Sequence, residues 1–125
     1  MPDNYLTAAG VAESVYVIEK SRFIACIAPV KDAAAAAEFL AGLRKRYYDA
    51  SHICYAYSLE PGGAQKFSDG GEPQGTAGQP IAEVVKAKRL RHTLIAVVRY
   101  FGGKKLGAGG LVRAYTEAAV RAAAA

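Results

Sequence analysis

Two alternating runs open the chain. Val15 and Val17, then Phe23, Ala25 and Ile27, alternate with polar or outward-facing positions between Glu13 and Val30. That period of two is the pattern of half-buried strands. Lys20, Ser21 and Arg22 fall at the junction, so the stretch reads as strand, turn, strand. Asp32 then offers a helix N-cap ahead of the helix formers Ala33 to Ala37. Ala36, Phe39, Leu40, Leu43 and Tyr47 recur every three or four residues and predict one buried helix face. Arg44, Lys45 and Arg46 suit the negative end of that helix dipole, and would equally suit a binding face.

His52 to Leu59 alternates again. His52, Cys54, Ala56 and Ser58 fall on one face, and Ile53, Tyr55, Tyr57 and Leu59 on the other. From Glu60 to Gly78 the pattern stops. Pro61, Gly62, Gly63, Gly70, Gly71, Pro73, Gly75 and Gly78 leave room for neither helix nor strand, so the whole segment is expected to be loop. A loop so long in a small domain is uncommon unless it is functional or mobile. Pro80 suits the first turn of a second helix, where its missing N–H costs nothing. Ile81, Val84 and Val85 mark that helix's buried stripe; Lys86, Lys88, Arg89 and Arg91 mark its basic outer surface and exit. Thr93 to Phe101 is almost continuously apolar and β-branched, as in a central strand covered on both faces. Gly102 and Gly103 end it. A last helix starts within Gly107 to Gly110 and turns Leu111, Ala114, Tyr115 and Ala118 inward. The order β-β-α-β-loop-α-β-α predicts an α+β fold, a two-layer sandwich with helices on one face of a small sheet.

Composition narrows the picture. A chain of 125 residues fits one domain, expected to run over residues 1–125, with enough length to bury a core without a disulfide or metal staple. The two cysteines, Cys26 and Cys54, sit in strand-like runs and form no metal-spaced pair. Lone cysteines point to the reducing cytosol. The longest apolar run, Leu94 to Val98, falls far short of the ~20 residues of a membrane span. A soluble cytoplasmic protein with no membrane partner, no metal and no cofactor is expected.

Charge changes it further. Residues 1–83 carry 7 basic and 10 acidic side chains, whereas residues 84–125 carry 9 basic side chains and one acid, Glu117. The net +5 is therefore a −3 segment followed by a +8 segment. Such a basic half points to an anionic partner, nucleic acid first, or to a solvated basic face.

Two constellations could carry chemistry. The first runs from Arg99 to Arg113 and joins a strand end, a Gly-rich turn and a helix start. Gly102, Gly103, Gly107, Gly109 and Gly110 let backbone approach a ligand, and Arg99, Lys104, Lys105 and Arg113 supply charge for an anion or a nucleic-acid phosphate. The spacing matches neither a Walker loop nor a dinucleotide fingerprint. Tight turning and close helix–sheet packing would explain the same glycines. The second is the loop Ser68 to Gly78, with Asp69, Glu72, Pro73, Gly75, Thr76 and Gly78. Asp69 and Glu72 are too few for a calcium loop, but two acids with His52 could do acid–base work if they met in space. A structural hydrogen-bonding role is the alternative for His52, and Cys54 reads as a buried apolar residue.

Four stretches in one order resemble the IMPACT family, from about Lys20 to Tyr115. They are Lys20 to Ile24, His52 to Tyr57, Ser68 to Pro80, and Arg99 to Gly103 followed by Leu106 to Tyr115. The resemblance implies the family's N-terminal domain, with the fold of the second domain of ribosomal protein S-five. There are departures. The acidic motif in that family usually has a second Asp where Gly70 stands, an Asn is common where Ile53 stands, and a Thr is common where Ala108 stands. Losing the second acid weakens a metal or acid-dyad role for the loop. Bacterial members mostly carry a second, ferredoxin-like domain, which is expected to be absent here. The eukaryotic members look like translation regulators that act through protein contacts on the pathway sensing amino-acid starvation.

The leading expectation is a translation-linked regulatory module that binds RNA or a ribosome-associated partner. Lys104, Lys105, Arg99 and Arg113 would contact phosphates, and Tyr100 or Phe101 would stack on bases. A protein-interaction module and a small enzyme acting on a phosphorylated substrate through His52, Asp69 and Glu72 are the alternatives.

Overall fold

In the computed structural model, residues 6–59 and 65–124 are described. The N-terminal Asp3 and Asn4, and Glu60, Pro61, Gly62 and Gly63 of the expected loop, lie outside these residues. Five strands and three helices follow one another as β1 (Ala12–Ile18), β2 (Ser21–Pro29), α1 (Ala33–Arg46), β3 (His52–Ser58), β4 (Gln65–Ser68), α2 (Gly78–Ala87), β5 (Thr93–Tyr100) and α3 (Gly107–Ala124). The sheet is antiparallel in the order β1-β2-β5-β3-β4. The fold is α+β, as the element order predicts.

The β1–β2 turn is tight, with Glu19 and Lys20 both at positive φ, so Ser21 and Arg22 already belong to β2. Asp32 caps α1 as expected: its Oδ1 accepts from Ala35 N–H at 2.8 Å. Arg44, Lys45 and Arg46 fill the last turn of that helix. Segment 60–78 is not wholly loop. Gln65, Lys66, Phe67 and Ser68 form β4, paired with β3 between Tyr55 and Ser58. These four residues are free of Gly and Pro, and β3 supplies the ladder that a short edge strand needs.

β5 is central, and side chains from both of its faces are buried. Ile95 and Val97 join Phe23, Ala25, Ile27, Cys54 and Ala56 under α2 and α3. Leu94, Ala96 and Val98 join Ile24, Cys26, Tyr55 and Tyr57 under Ala36, Leu40 and Leu43 of α1. The helices therefore do not share one face: α2 and α3 cover one side of the sheet and α1 the other. A strand apolar on both faces needs both covers. The inward set of β1 also differs from expectation. Ala12, Tyr16 and Ile18 pack on the core beneath α3, and Val15 and Val17 are exposed. β1 lies at the sheet edge, where the end of α1 reaches Glu13 through Arg46 at 3.0 Å but leaves Val15 and Val17 uncovered.

Candidate functional site

The loop after β4 is built around one carboxylate. Asp69 Oδ2 accepts from Gly75 N–H at 3.0 Å, and Oδ1 accepts from Ala77 and Gly78 N–H at 3.2 and 2.8 Å. Ala77, at the N-cap position of α2, has no capping side chain, so Asp69 satisfies those orphan donors from outside the helix. Burial pushes the Asp69 carboxyl up, but the three backbone N–H groups outweigh it and hold the group below the usual carboxylate range. Gly78 is needed because a Cβ there would come within 2.7 Å of the Ser68 carbonyl. Gly70, at φ 56, likewise passes too close to the Ile53 carbonyl for a side chain.

The loop delivers Glu72 into a buried polar cluster. Its Oε2 accepts from Arg99 Nη1 at 2.8 Å and from the Tyr115 hydroxyl at 2.5 Å. The Arg99 guanidinium lies over the rings of Phe23 and Phe101, each 5.4 Å from the centroid, and Nη2 donates to Ser21 Oγ at 3.2 Å. Arg99 Nε has no partner among the described residues. Cys54 Sγ sits 3.1 Å from the Asp69 carbonyl oxygen and 3.4 Å from the Tyr115 hydroxyl. Burial pushes the Cys54 thiol up to about 12. Burial, then the neighbouring thiol and Glu72, hold the Tyr115 phenol far above its ordinary value, so it stays a donor.

One face of this cluster opens into a cleft of about 410 Å³. His52, Glu72 and Arg99 line it together with Pro73, Phe101, Leu106, Leu111 and the start of α3. His52 Nδ1 faces the Gly70 carbonyl oxygen at 3.1 Å. A carbonyl only accepts, so Nδ1 carries hydrogen and Nε2 looks towards Glu72 Oε1 at 3.5 Å. Lys105 lies at the rim and makes no ion pair among the described residues. The first turn of α3 holds no acid, so the positive end of its dipole is uncompensated there. Phe101 is 49% exposed although it covers Arg99. The cleft brings an aromatic surface, a cation and a buried carboxylate together.

A model of the Impact N-terminal domain matches residues 19–123. The chain belongs to the IMPACT family. It is 48% identical over 116 residues to the IMPACT family member YvyE of Bacillus subtilis, covering 92% of this chain and 54% of that protein. It is 40% identical over 116 residues to YigZ of Escherichia coli, covering 90% and 57%. The chain thus spans about half the length of the curated relatives it matches. Among solved structures, a hypothetical protein superposes with a TM-score of 0.91 at 37% identity, over 96% of this chain and 60% of that one. The two-domain translational regulator Yih1 shares the fold, with a TM-score of 0.52 at 23% identity, over 98% of this chain and 48% of that one.

This IMPACT domain gathers some of the residues singled out from sequence and separates others. His52, Glu72, Pro73, Arg99, Lys105 and Gly107 meet in the cleft. Asp69 does not join Glu72 as an acid pair; its carboxylate is spent on backbone N–H groups. Thr76 is spent on the loop as well, donating to the Pro73 carbonyl. Arg99 is no free phosphate contact, because it neutralises Glu72. Lys104 pairs with Glu19 at 2.8 Å and lines a neighbouring hollow with Lys105, Gly110 and Arg113. Gly102 is fixed by packing: a Cβ would lie 2.1 Å from the Lys20 carbonyl carbon. Gly103 and Gly107 take positive φ, and Gly109 and Gly110 lie in the first turn of α3. No group of three or more His, Cys, Asp or Glu able to hold a metal occurs among the described residues, and no helix among them is long and apolar enough to cross a membrane.

Ser21 and Tyr115 are members of the cluster that the candidate site residues did not include. Tyr115 closes the fourth stretch of family resemblance, but its spacing with Leu111 and Ala118 marked it as core. Ser21 lies in the first stretch of family resemblance, but only the β2–β5 pairing brings it to Arg99.

Proposed function

We propose that this chain, a single Impact N-terminal-like domain over residues 1–125, is a translation-linked regulatory module of the cytoplasm that binds single-stranded RNA in the cleft. The observation that carries the reading is Phe101. A half-exposed aromatic ring beside an unpaired lysine and an acid-free helix start is the combination that stacks a base and holds its phosphate. The +8 charge of residues 84–125 would draw the strand in. The fold shared with the translational regulator Yih1 and the kinship with YvyE and YigZ support the translation link.

Fluorescence anisotropy with a labelled single-stranded RNA tests it. Binding should be present at low salt and fall steeply as salt rises, because phosphate contacts release counterions. Phe101→Ala should lose about 1–3 kcal/mol of binding at either salt, as expected for a stacked base. Lys105→Glu should weaken binding and flatten the salt slope. No binding at low salt, or equal binding by both variants, removes the cleft from nucleic-acid recognition.

A second reading rests on His52. With Nδ1 tied to Gly70, Nε2 and Glu72 Oε1 face the same space, which suits acid–base work on a phosphorylated substrate. Turnover of a phosphorylated small molecule that is lost in His52→Ala would favour it over RNA binding.

A further inference from the structure

Glu72 is an unusual lining for a cleft that attracts anions. Its side chain is 3% exposed, and its Oε2 is fully engaged by Arg99 and Tyr115. Oε1 is different. Among the described residues its polar neighbour is His52 Nε2 at 3.5 Å, beyond good hydrogen-bond distance. Oε1 is not among the fully buried atoms left without a partner, so it is open to the cleft that Glu72 lines, where a ligand group can supply a donor.

The chemistry of that donor is restricted. A phosphate would meet the Glu72 charge, so it belongs on the Lys105 and α3 side. A guanine edge offers two adjacent N–H donors suited to both carboxylate oxygens, and one oxygen is already taken. An amino group only donates, so it suits the neutral ring, whose Nε2 accepts, and clashes with the Nε2–H of the charged ring. A hydroxyl fits both states of the ring: it donates to Oε1 while accepting from Nε2–H of the charged ring, or donates to either acceptor when the ring is neutral. The cleft therefore has a hydroxyl-binding corner, an aromatic side and a cationic side. Those three features match the sugar, base and phosphate of one ribonucleotide.

We infer that Glu72 Oε1 and His52 Nε2 receive the ribose 2′-hydroxyl, so that the cleft selects RNA over DNA of the same sequence. The inference rests on the RNA reading above and adds a discrimination that stacking and phosphate contacts cannot supply, since both polymers share them.

Three probes of one sequence, titrated against the intact 125-residue chain, test it: RNA, DNA with uracil in place of thymine, and 2′-O-methyl RNA. RNA should bind about tenfold or more tightly than DNA, the scale of one hydrogen bond to a charged group. The 2′-O-methyl strand, which cannot donate, should bind like DNA. The RNA-to-DNA ratio should fall close to one in His52→Ala, with circular dichroism checking that the variant is folded. Equal affinity for RNA and DNA, or full affinity for the 2′-O-methyl strand, overturns the ribose assignment and leaves RNA binding standing. Absence of binding to all three probes removes both.

Discussion

Tyr115 and Arg99 donate to the same oxygen of Glu72, at 2.5 and 2.8 Å, so a helix and the central strand are joined through one buried carboxylate. The two bonds have different worth. Tyr115→Phe removes a donor but leaves the charge paired, and should cost about 1.5–3 kcal/mol. Arg99→Met leaves the carboxylate buried without its cation, and should cost about 3–5 kcal/mol. Urea midpoints check the order. An equal or reversed ranking would mean that Glu72 is not held as a charged group.

Asp69 ties stability to acid pH. Its carboxyl lies below the ordinary value in the folded chain and returns to about 3.9 when unfolded. Above that value the three N–H bonds contribute in full. As pH falls below about 4, the unfolded chain takes up the proton first, and the contribution is lost on the way down through the folded value. Asp69→Asn should therefore melt lower than wild type at neutral pH and lose less between about pH 5 and pH 3. Parallel melting curves across that range would exclude the linkage.

Both thiols should be silent while the chain is folded. Burial pushes Cys26 and Cys54 each to about 12, with the Glu13 carboxylate adding to the effect at Cys26. At pH 8 a thiol reagent that needs thiolate should react with neither, then with both once urea is added. One equivalent released under native conditions would show that one of the two strands opens.

Gly102→Ala should destabilise by about 1–3 kcal/mol through overpacking. A methyl group there would press on the Lys20–Ser21 peptide, with Lys20 carbon 2.1 Å away. On the RNA-binding proposal the variant should also lower RNA affinity, because Gly102 N–H and Arg99 Nη2 share Ser21 Oγ. Thermal melting and anisotropy measured side by side would show whether the two losses travel together.

Most elements were legible because their periodicity is local. β3 alternates cleanly, Asp32 marks the start of α1, and Pro80 marks α2. What escaped depends on neighbours distant in sequence. The four-residue β4 carries no periodic signal of its own and exists through Tyr55 to Ser58. Val15 and Val17 alternate correctly, but which face of β1 is covered depends on where α1 docks. The double cover of the sheet was in fact readable: a strand as apolar as Leu94 to Val98 cannot leave one face to water. The burial of Arg99 also had a signal. It shares parity with Ile95 and Val97, and so points under α2 and α3. A buried arginine there requires an acid, and Glu72 in the glycine loop is the one it finds. The three-way meeting at Glu72 had no local signal, since its partners come from β3, β5 and α3.

The position of β5 between β2 and β3 has a temporal meaning for a chain made from its N-terminus. The β1–β2 hairpin and the β3–β4 hairpin have no partner in common until residue 100 has been synthesised. Glu72 then still waits for Tyr115. The cleft is thus completed only after Tyr115 has been made, and no nascent chain that stops short of it can compete for what the cleft binds.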